Sequence, residues 1–302
     1  MKKFTLFLSI ALTTLNIQAQ NVTIPDANFK KHLVGNSSIN TNSDTEIQVS
    51  EALVVTRISV RGDTISNLTG IEAFTNLTLL ECDTNNITIL DLHANIHLDS
   101  LSCAQILITS LDVSMLTSLV YLYCPYNTSL NSCTAGSNTS LKWIDIGDTK
   151  ITSLDLSGYS TLVHLDIVYC TLLASINLSK NTNLTTLLAL QTSNLINLDV
   201  SLDTALTSLN VTNIFGTSAA KTICVNAKQL ASHAGWSKKS NDIYSTTNCL
   251  VGIDELSFPA IPKKLLHIYN SVGQEITIDE VSEGVYIYQY NDGSVKKIAK
   301  LF

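Results

Sequence analysis

Leucine and other branched apolar residues return along this chain at intervals of 21 or 22 residues. Counted from the first apolar residue of one interval, Leu77, Leu80, Cys82, Asn85, Ile87, Leu90 and Leu92 fall at positions 1, 4, 6, 9, 11, 14 and 16. The next interval reads Leu98, Leu101, Cys103, Ile106, Ile108, Leu111 and Val113. Further intervals begin at Val55, Leu119, Leu141, Leu162, Leu184 and Leu206. A period of this size predicts a solenoid, in which one coil cannot bury its apolar side alone and is stable only when stacked on its neighbours. The second apolar pair recurs as Leu90-Asp91-Leu92, Leu111-Asp112-Val113, Leu154-Asp155-Leu156 and Leu198-Asp199-Val200. At 1.5 Å per residue a full α-helix does not fit in so short a coil, so the return side must be extended or turn-like.

The spacing LxxLxLxxN/C/T resembles the bacterial leucine-rich repeat family with short, internalin-like repeats. The resemblance implies a β-rich solenoid of about eight coils over residues 55–213, with a short strand near positions 3 to 7 and a parallel sheet on the concave face. Side chains alternate along a strand, so positions 4 and 6 point inward and positions 3, 5 and 7 outward.

Other segments flank the array. Residues 1–20 read as a secretory signal: Lys2 and Lys3, an apolar run from Phe4 to Leu15, and a cleavage point near Ala19. No later stretch is apolar enough to span a bilayer. Residues 21–54 form an N-terminal cap, with a short helix expected after Pro25 and Asp26 and Phe29 and Leu33 on one face. Within it, residues 40–51 are similar to an EF-hand loop, with Asn40, Asn42, Asp44, Glu46 and Glu51 as candidate ligands for a structural calcium ion. The first candidate ligand is Asn, and Thr45 stands where that loop has glycine. Residues 214–252 are expected to form the second cap and a linker, and residues 253–302 a small β module with a hairpin around Asn291-Asp292-Gly293. The module's IYNxxGQE and GVYIYxYxDGSVKK stretches resemble the C-terminal sorting domain of the type IX secretion system of Bacteroidetes. That resemblance implies passage across the outer membrane.

Composition narrows the function. The chain carries 18 basic and 25 acidic residues, a net charge of −7, and no basic stripe, which argues against a nucleic-acid partner. Of seven cysteines, Cys82, Cys103 and Cys124 share position 6, Cys170 sits at position 9, and Cys133 fits position 14 after a one-residue slip. Equivalent residues on adjacent strands lie about 4.8 Å apart, whereas a disulfide brings Cβ atoms to about 3.8 Å. These five read as buried thiols acting as small hydrophobes. Cys224 and Cys249 lie beyond the last clear repeat and are expected to pair.

The outward columns hold the candidate site. Aromatic residues make up 6% of the chain, yet Tyr121, Tyr123, Tyr126, Trp143 and Tyr169 converge on three adjacent coils. Asp145, His164 and Asp166 lie among them, with Asp148 beside them. Tyrosine and tryptophan offer large contact area with a polar tip, as in binding hot spots. Packing along the sheet is the alternative role for them. No serine elbow, HExxH or glycine-rich phosphate loop occurs, and no enzyme activity or organic cofactor is expected. The expected protein is secreted or attached to the outer surface and binds a protein or glycan through this patch. The competing expectation is a structural surface or matrix component that acts by spacing and self-association.

Overall fold

The computed structural model describes residues 20–134, 136, 138–195, 198–203, 205–212, 222–225, 236–238 and 243–245, and four strands of the C-terminal unit. The chain divides into two compact units, residues 1–251 and 252–302. The expected signal segment before residue 20 lies outside the described residues. Among the described residues no helix is long and apolar enough to cross a membrane.

The first unit is a parallel β-solenoid of the leucine-rich repeat kind, with little helix. A nine-stranded sheet runs in the order Arg57–Ser59, Leu79–Glu81, Ser100–Ser102, Tyr121–Tyr123, Trp143–Asp145, His164–Asp166, Thr186–Leu188, Ser208–Val211 and Ser237–Lys238. Each pair from Arg57–Ser59 to Ser208–Val211 is in repeat register: Leu80 pairs with Leu101, Leu101 with Leu122, Leu122 with Ile144, and Ile144 with Leu165. Equal repeat positions therefore stack into columns, and the inward columns make the core. Leu77, Leu80, Cys82, Leu98, Cys103, Leu119, Cys124, Leu162 and Leu165 are all fully buried.

The return side follows the second apolar pair. Ser110–Asp112 pairs with Ser132–Thr134 and Ser153–Asp155 with Ser175–Asn177, so that Leu111 stands beside Cys133. The recurrent aspartate has a local cause. Asp112, Asp155 and Asp199 each accept the backbone N–H two residues on, at 2.9 Å, and Asn177 does the same at 3.0 Å. This side-chain turn bends the chain where a strand would otherwise run on.

The front corner is turned by glycine in the first coil, Gly62 with φ of 71°, and by other residues from the second coil on. Position 8 holds Thr84, Gln105, Tyr126, Asp148, Tyr169 and Gln191, with φ of 58°, 54°, 60°, 53°, 60° and 63°. Each is left-handed, a conformation that costs a non-glycine residue about 1 kcal/mol. In return each N–H reaches the next coil, as in Tyr126 to the Gly147 carbonyl and Tyr169 to the Leu190 carbonyl, both at 2.8 Å.

One residue later, position 9 satisfies the polar groups of the corner. Asn85 and Asn127 are buried. The Asn127 amide nitrogen donates to the Cys103 and Cys124 carbonyls at 2.9 Å, and its oxygen accepts the Ile106 N–H at 2.9 Å. In the same column the Thr149 hydroxyl donates to the Ile146 carbonyl at 2.9 Å, and the Thr192 hydroxyl lies 3.0 Å from both the Ile167 and the Ala189 carbonyls. Three residues before alternate coil starts, Asn95, Asn138 and Asn181 donate back to two carbonyls each of the preceding coil. Phe74, Leu116 and Tyr159 fill the coils between and are buried.

The N-terminal segment 21–54 carries two short helices. Helix Ala27–Val34 starts at Asp26, whose carboxylate accepts the Asn28 and Phe29 N–H groups, and it buries Phe29 and Leu33. The other Asp26 oxygen accepts Ser66 N, Ser66 Oγ and Asn67 N, tying the cap to the first coil. A second short helix, Val49–Ala52, takes in the last residues of the EF-hand-like stretch, Glu51 among them.

Stacking also continues past residue 213, where the sequence pattern fades. Ser237–Lys238 adds to the main sheet, while Thr222–Cys224 pairs with both Leu198–Asp199 and Ile243–Ser245. The parallel pairing of the array thus runs on into the segment expected to form the second cap. Trp236 is partly buried against the core, and its indole N–H donates to the Thr207 carbonyl at 3.1 Å. In the second unit, Leu265–Tyr269, Glu275–Ile276, Gly284–Tyr290 and Val295–Lys300 make an antiparallel sheet. Gly284–Tyr290 and Val295–Lys300 pair as the two arms of a hairpin, with Gln289 opposite Val295.

Candidate binding face

The register of the main sheet brings the candidate residues together. Tyr121, Trp143 and His164 are direct neighbours in one column, and Tyr123, Asp145 and Asp166 in the next. Tyr126, Asp148 and Tyr169 form a third column on the left-handed corner. All five aromatics are exposed, from 39% for Trp143 to 57% for Tyr126, although tyrosine and tryptophan elsewhere in a fold usually seek cover.

Two contacts organise the patch. Trp143 and His164 stack with ring centroids 3.5 Å apart and planes 4° from parallel. Asp145 accepts the Gly147 N–H at 3.1 Å and Asp166 the Val168 N–H at 2.9 Å, each through Oδ1. Burial drives the electrostatics. It pushes the Asp145 carboxyl up to about 6, with the charge of Asp166 adding to the rise and the Gly147 N–H opposing it. Burial likewise raises Asp166, against the Val168 N–H and His164. It holds His164 below the ordinary histidine range, against the pull of Asp166. Burial also raises Tyr123, helped by Asp145 and Tyr126.

The N-terminal part of the same face treats its acids differently. Arg61 reaches Glu81 at 2.9 Å through Nη2 and Asp83 at 2.8 Å through Nε. Asp83 Oδ1 also accepts from Ser102 Oγ at 2.6 Å and Ala104 N at 2.7 Å. Arg61 and Asp83 share repeat position 7, so the register itself brings them together.

The EF-hand-like loop is held by its own bonds. Glu51 Oε1 accepts Thr41 N, Thr41 Oγ1 and Asn42 N, and Oε2 accepts Gln48 N. Asp44 accepts Glu46 N, Asn42 Nδ2 and Gln48 Nε2. Glu46 pairs with Lys30 at 2.6 Å, and the Asn40 amide donates to the Val34 and Asp44 carbonyls. A calcium ion would have to displace several of these donors. Among the described residues no three His, Cys, Asp or Glu side chains gather into a metal-binding group.

Cys82, Cys103 and Cys124 stand in register in three consecutive coils, all fully buried and free. Cys224 is disulfide-bonded, and Cys249, its expected partner, lies outside the described residues.

No family model matches the chain, and no curated protein matches it. Solved structures do. The functional domain of InlJ from Listeria monocytogenes, which includes a cysteine ladder, is similar at a TM-score of 0.50 and 26% identity. That match covers 69% of this chain and 53% of the other, so the chain spans about half the length of that domain. Internalin C2 of the same organism matches at 18% identity and a TM-score of 0.39, over 67% of this chain and 97% of that one. Fold and likeness together define a leucine-rich repeat solenoid.

Proposed function

We propose that this chain is a secreted or surface-displayed recognition protein that binds a macromolecular ligand, most naturally another protein, through Tyr121, Tyr123, Tyr126, Trp143, Asp145, His164, Asp166 and Tyr169. One observation carries this reading. Three exposed aromatics, Tyr121, Tyr123 and Trp143, and two carboxylates occupy neighbouring columns of one parallel sheet, with exposed Tyr126 and Tyr169 on the adjoining corner. Exposed apolar clusters rimmed by polar groups are the usual form of an interaction site. The leader-like residues 1–20 support export. The resemblance of residues 253–302 to a sorting module supports passage of the outer membrane.

The experiment is a binding screen of the full-length chain against cell-surface protein and glycan arrays, with a Tyr123→Ala/Trp143→Ala variant beside it. A ligand lost in the variant at unchanged melting temperature supports the reading. Ligands retained by the variant move the site elsewhere.

A structural role by self-association is the second reading. It is favoured by exposed aliphatic residues away from the sheet face, notably Ile89 at 78% and Met115 at 58%. Sedimentation across a hundredfold concentration range separates the two, since association that needs no foreign partner rises with concentration.

A further inference from the structure

The exposed tyrosines of the corner stand at a fixed interval. Tyr126 and Tyr169 both occupy position 8, two coils apart, with Asp148 in the coil between. Both have φ of 60°, and both donate their N–H to the next coil at 2.8 Å, to the carbonyls of Gly147 and Leu190. The two side chains therefore leave equivalent backbones, and both are half or more exposed. Adjacent strands lie about 4.8 Å apart, which sets these tyrosines about 9.6 Å apart along the solenoid axis. Tyr121 and Trp143 add exposed rings in a column of the sheet beside them.

That interval selects a partner conformation. A polyproline II helix rises about 3.1 Å per residue and repeats every three residues, or about 9.3 Å, within about 0.3 Å of the tyrosine interval. Two turns of an α-helix, at about 5.4 Å each, overshoot it by about 1.2 Å. Three residues of a β-strand span about 10 Å, but side chains alternate along a strand, so residues three apart face opposite ways.

The chemistry agrees. A polyproline II segment presents apolar rings and backbone carbonyls that make no internal hydrogen bond, and tyrosine offers a ring and a hydroxyl donor together. Trp143 is already held in its stack on His164, so little freedom is lost when a ligand packs beside it. Over these three coils, positions 3, 5 and 8 hold Asp145, Asp148 and Asp166 and no lysine or arginine; Lys142 and Lys150 lie at positions 2 and 10. Basic residues among the prolines are therefore complementary in charge. We propose that this face receives a proline-rich, basic segment of a protein partner in the polyproline II conformation, laid along the solenoid axis with residues three apart on Tyr126 and Tyr169. The proposal rests on the sheet face being the recognition surface.

The test uses the full-length chain and a peptide of four Pro-Pro-Arg repeats, followed by calorimetry at pH 7.5, with Pro-Pro-Glu and Gly-Gly-Arg versions beside it. Saturable binding of the Pro-Pro-Arg peptide is expected. The glutamate version reverses the charge, and the glycine version keeps the charge but not the stiff helix; each should bind at least tenfold more weakly. Tyr126→Gln/Tyr169→Gln should lose at least tenfold in affinity at unchanged melting temperature, since Gln105 and Gln191 hold the same left-handed position. Ile89→Ser removes an exposed apolar side chain away from the sheet face and should bind as the parent does. No binding of the Pro-Pro-Arg peptide, equal binding of either control peptide, or undiminished binding by the Tyr126/Tyr169 variant would each overturn the proposal. An array ligand lost in Tyr123→Ala/Trp143→Ala, with no binding of the Pro-Pro-Arg peptide, would overturn it while leaving recognition by this face intact. If no array ligand depends on the face and no peptide binds, both readings fall.

Discussion

Trp143 lies flat against His164, an imidazole that burial keeps neutral at physiological pH. Parallel register puts the two residues side by side, and the sheet holds their rings in stack. A protonated imidazole against an indole quenches its emission. Tryptophan fluorescence should therefore fall on acidification, with a midpoint below the ordinary histidine value of about 6.5. His164→Gln should abolish that step and leave the contribution of Trp236. A titration that is unchanged in His164→Gln would mean that the stack does not report on the imidazole.

Asp145 makes the opposite kind of prediction, because here the charged form is the costly one. Its carboxyl is pushed up to about 6 in the folded chain, chiefly by burial, against about 3.9 when unfolded. The penalty is absent below the unfolded value, grows between the two, and is complete above pH 6. Asp145→Asn should raise the melting temperature at pH 7.5 and give no gain at pH 4. A residue that costs stability on an exposed face is a signature of use in binding. An equal gain at both pH values would attribute the effect to packing instead.

The thiols should be silent. Burial raises Cys82 and places Cys133 at about 12 and Cys170 at about 11; for Cys103 the hydrogen bond with Cys124 leads and burial adds to it. Thiolate is the reactive form. The native protein should leave Cys82, Cys103, Cys124, Cys133 and Cys170 unlabelled by a thiol-specific disulfide reagent at pH 8. All five should react at once in 8 M urea. Mass spectrometry of the peptides checks this, and fast native labelling of Cys103 would show that the coils open locally.

Much of this arrangement could be read from the chain. In a parallel stack equal repeat positions pair, so counting from Leu77 was enough to place Tyr121 beside Trp143 and Asp145 beside Asp166. Burial of Phe29 and Leu33 followed from helix spacing and the Asp26 cap. Other features left no such trace. Thr84, Gln105, Tyr126 and Asp148 take a left-handed turn that sequence usually announces with glycine, and here the neighbouring coil supplies the hydrogen bond that holds it. The stacking beyond residue 213 was hidden because Ser237–Lys238 pairs through its backbone while its leucine spacing has gone. Arg61 and Asp83 share repeat position 7 and so meet by the same register, but the second contact of Arg61, to Glu81 two positions earlier, depends on a side-chain rotamer that repeat counting does not give.

Asn127 offers the sharpest test of what holds the coils together. Its side chain is buried and satisfies two carbonyls and one N–H at once. Removing it strands all three groups away from water, and each stranded group costs about 1–3 kcal/mol, part of which relaxation recovers. Asn127→Ala should lower stability by roughly 3 kcal/mol in urea unfolding, allowing for that recovery. Asn127→Thr should recover part of the loss, because the Thr149 and Thr192 hydroxyls donate to carbonyls in the same column but cannot also accept in the place of the amide oxygen at once. Asn127→Asp should be worse than alanine: it keeps the acceptor for Ile106 but turns a donor towards the Cys103 and Cys124 carbonyls into a buried charge. If aspartate and threonine are equally tolerated, the column is held by apolar packing, and the buried amides are only fillers within it.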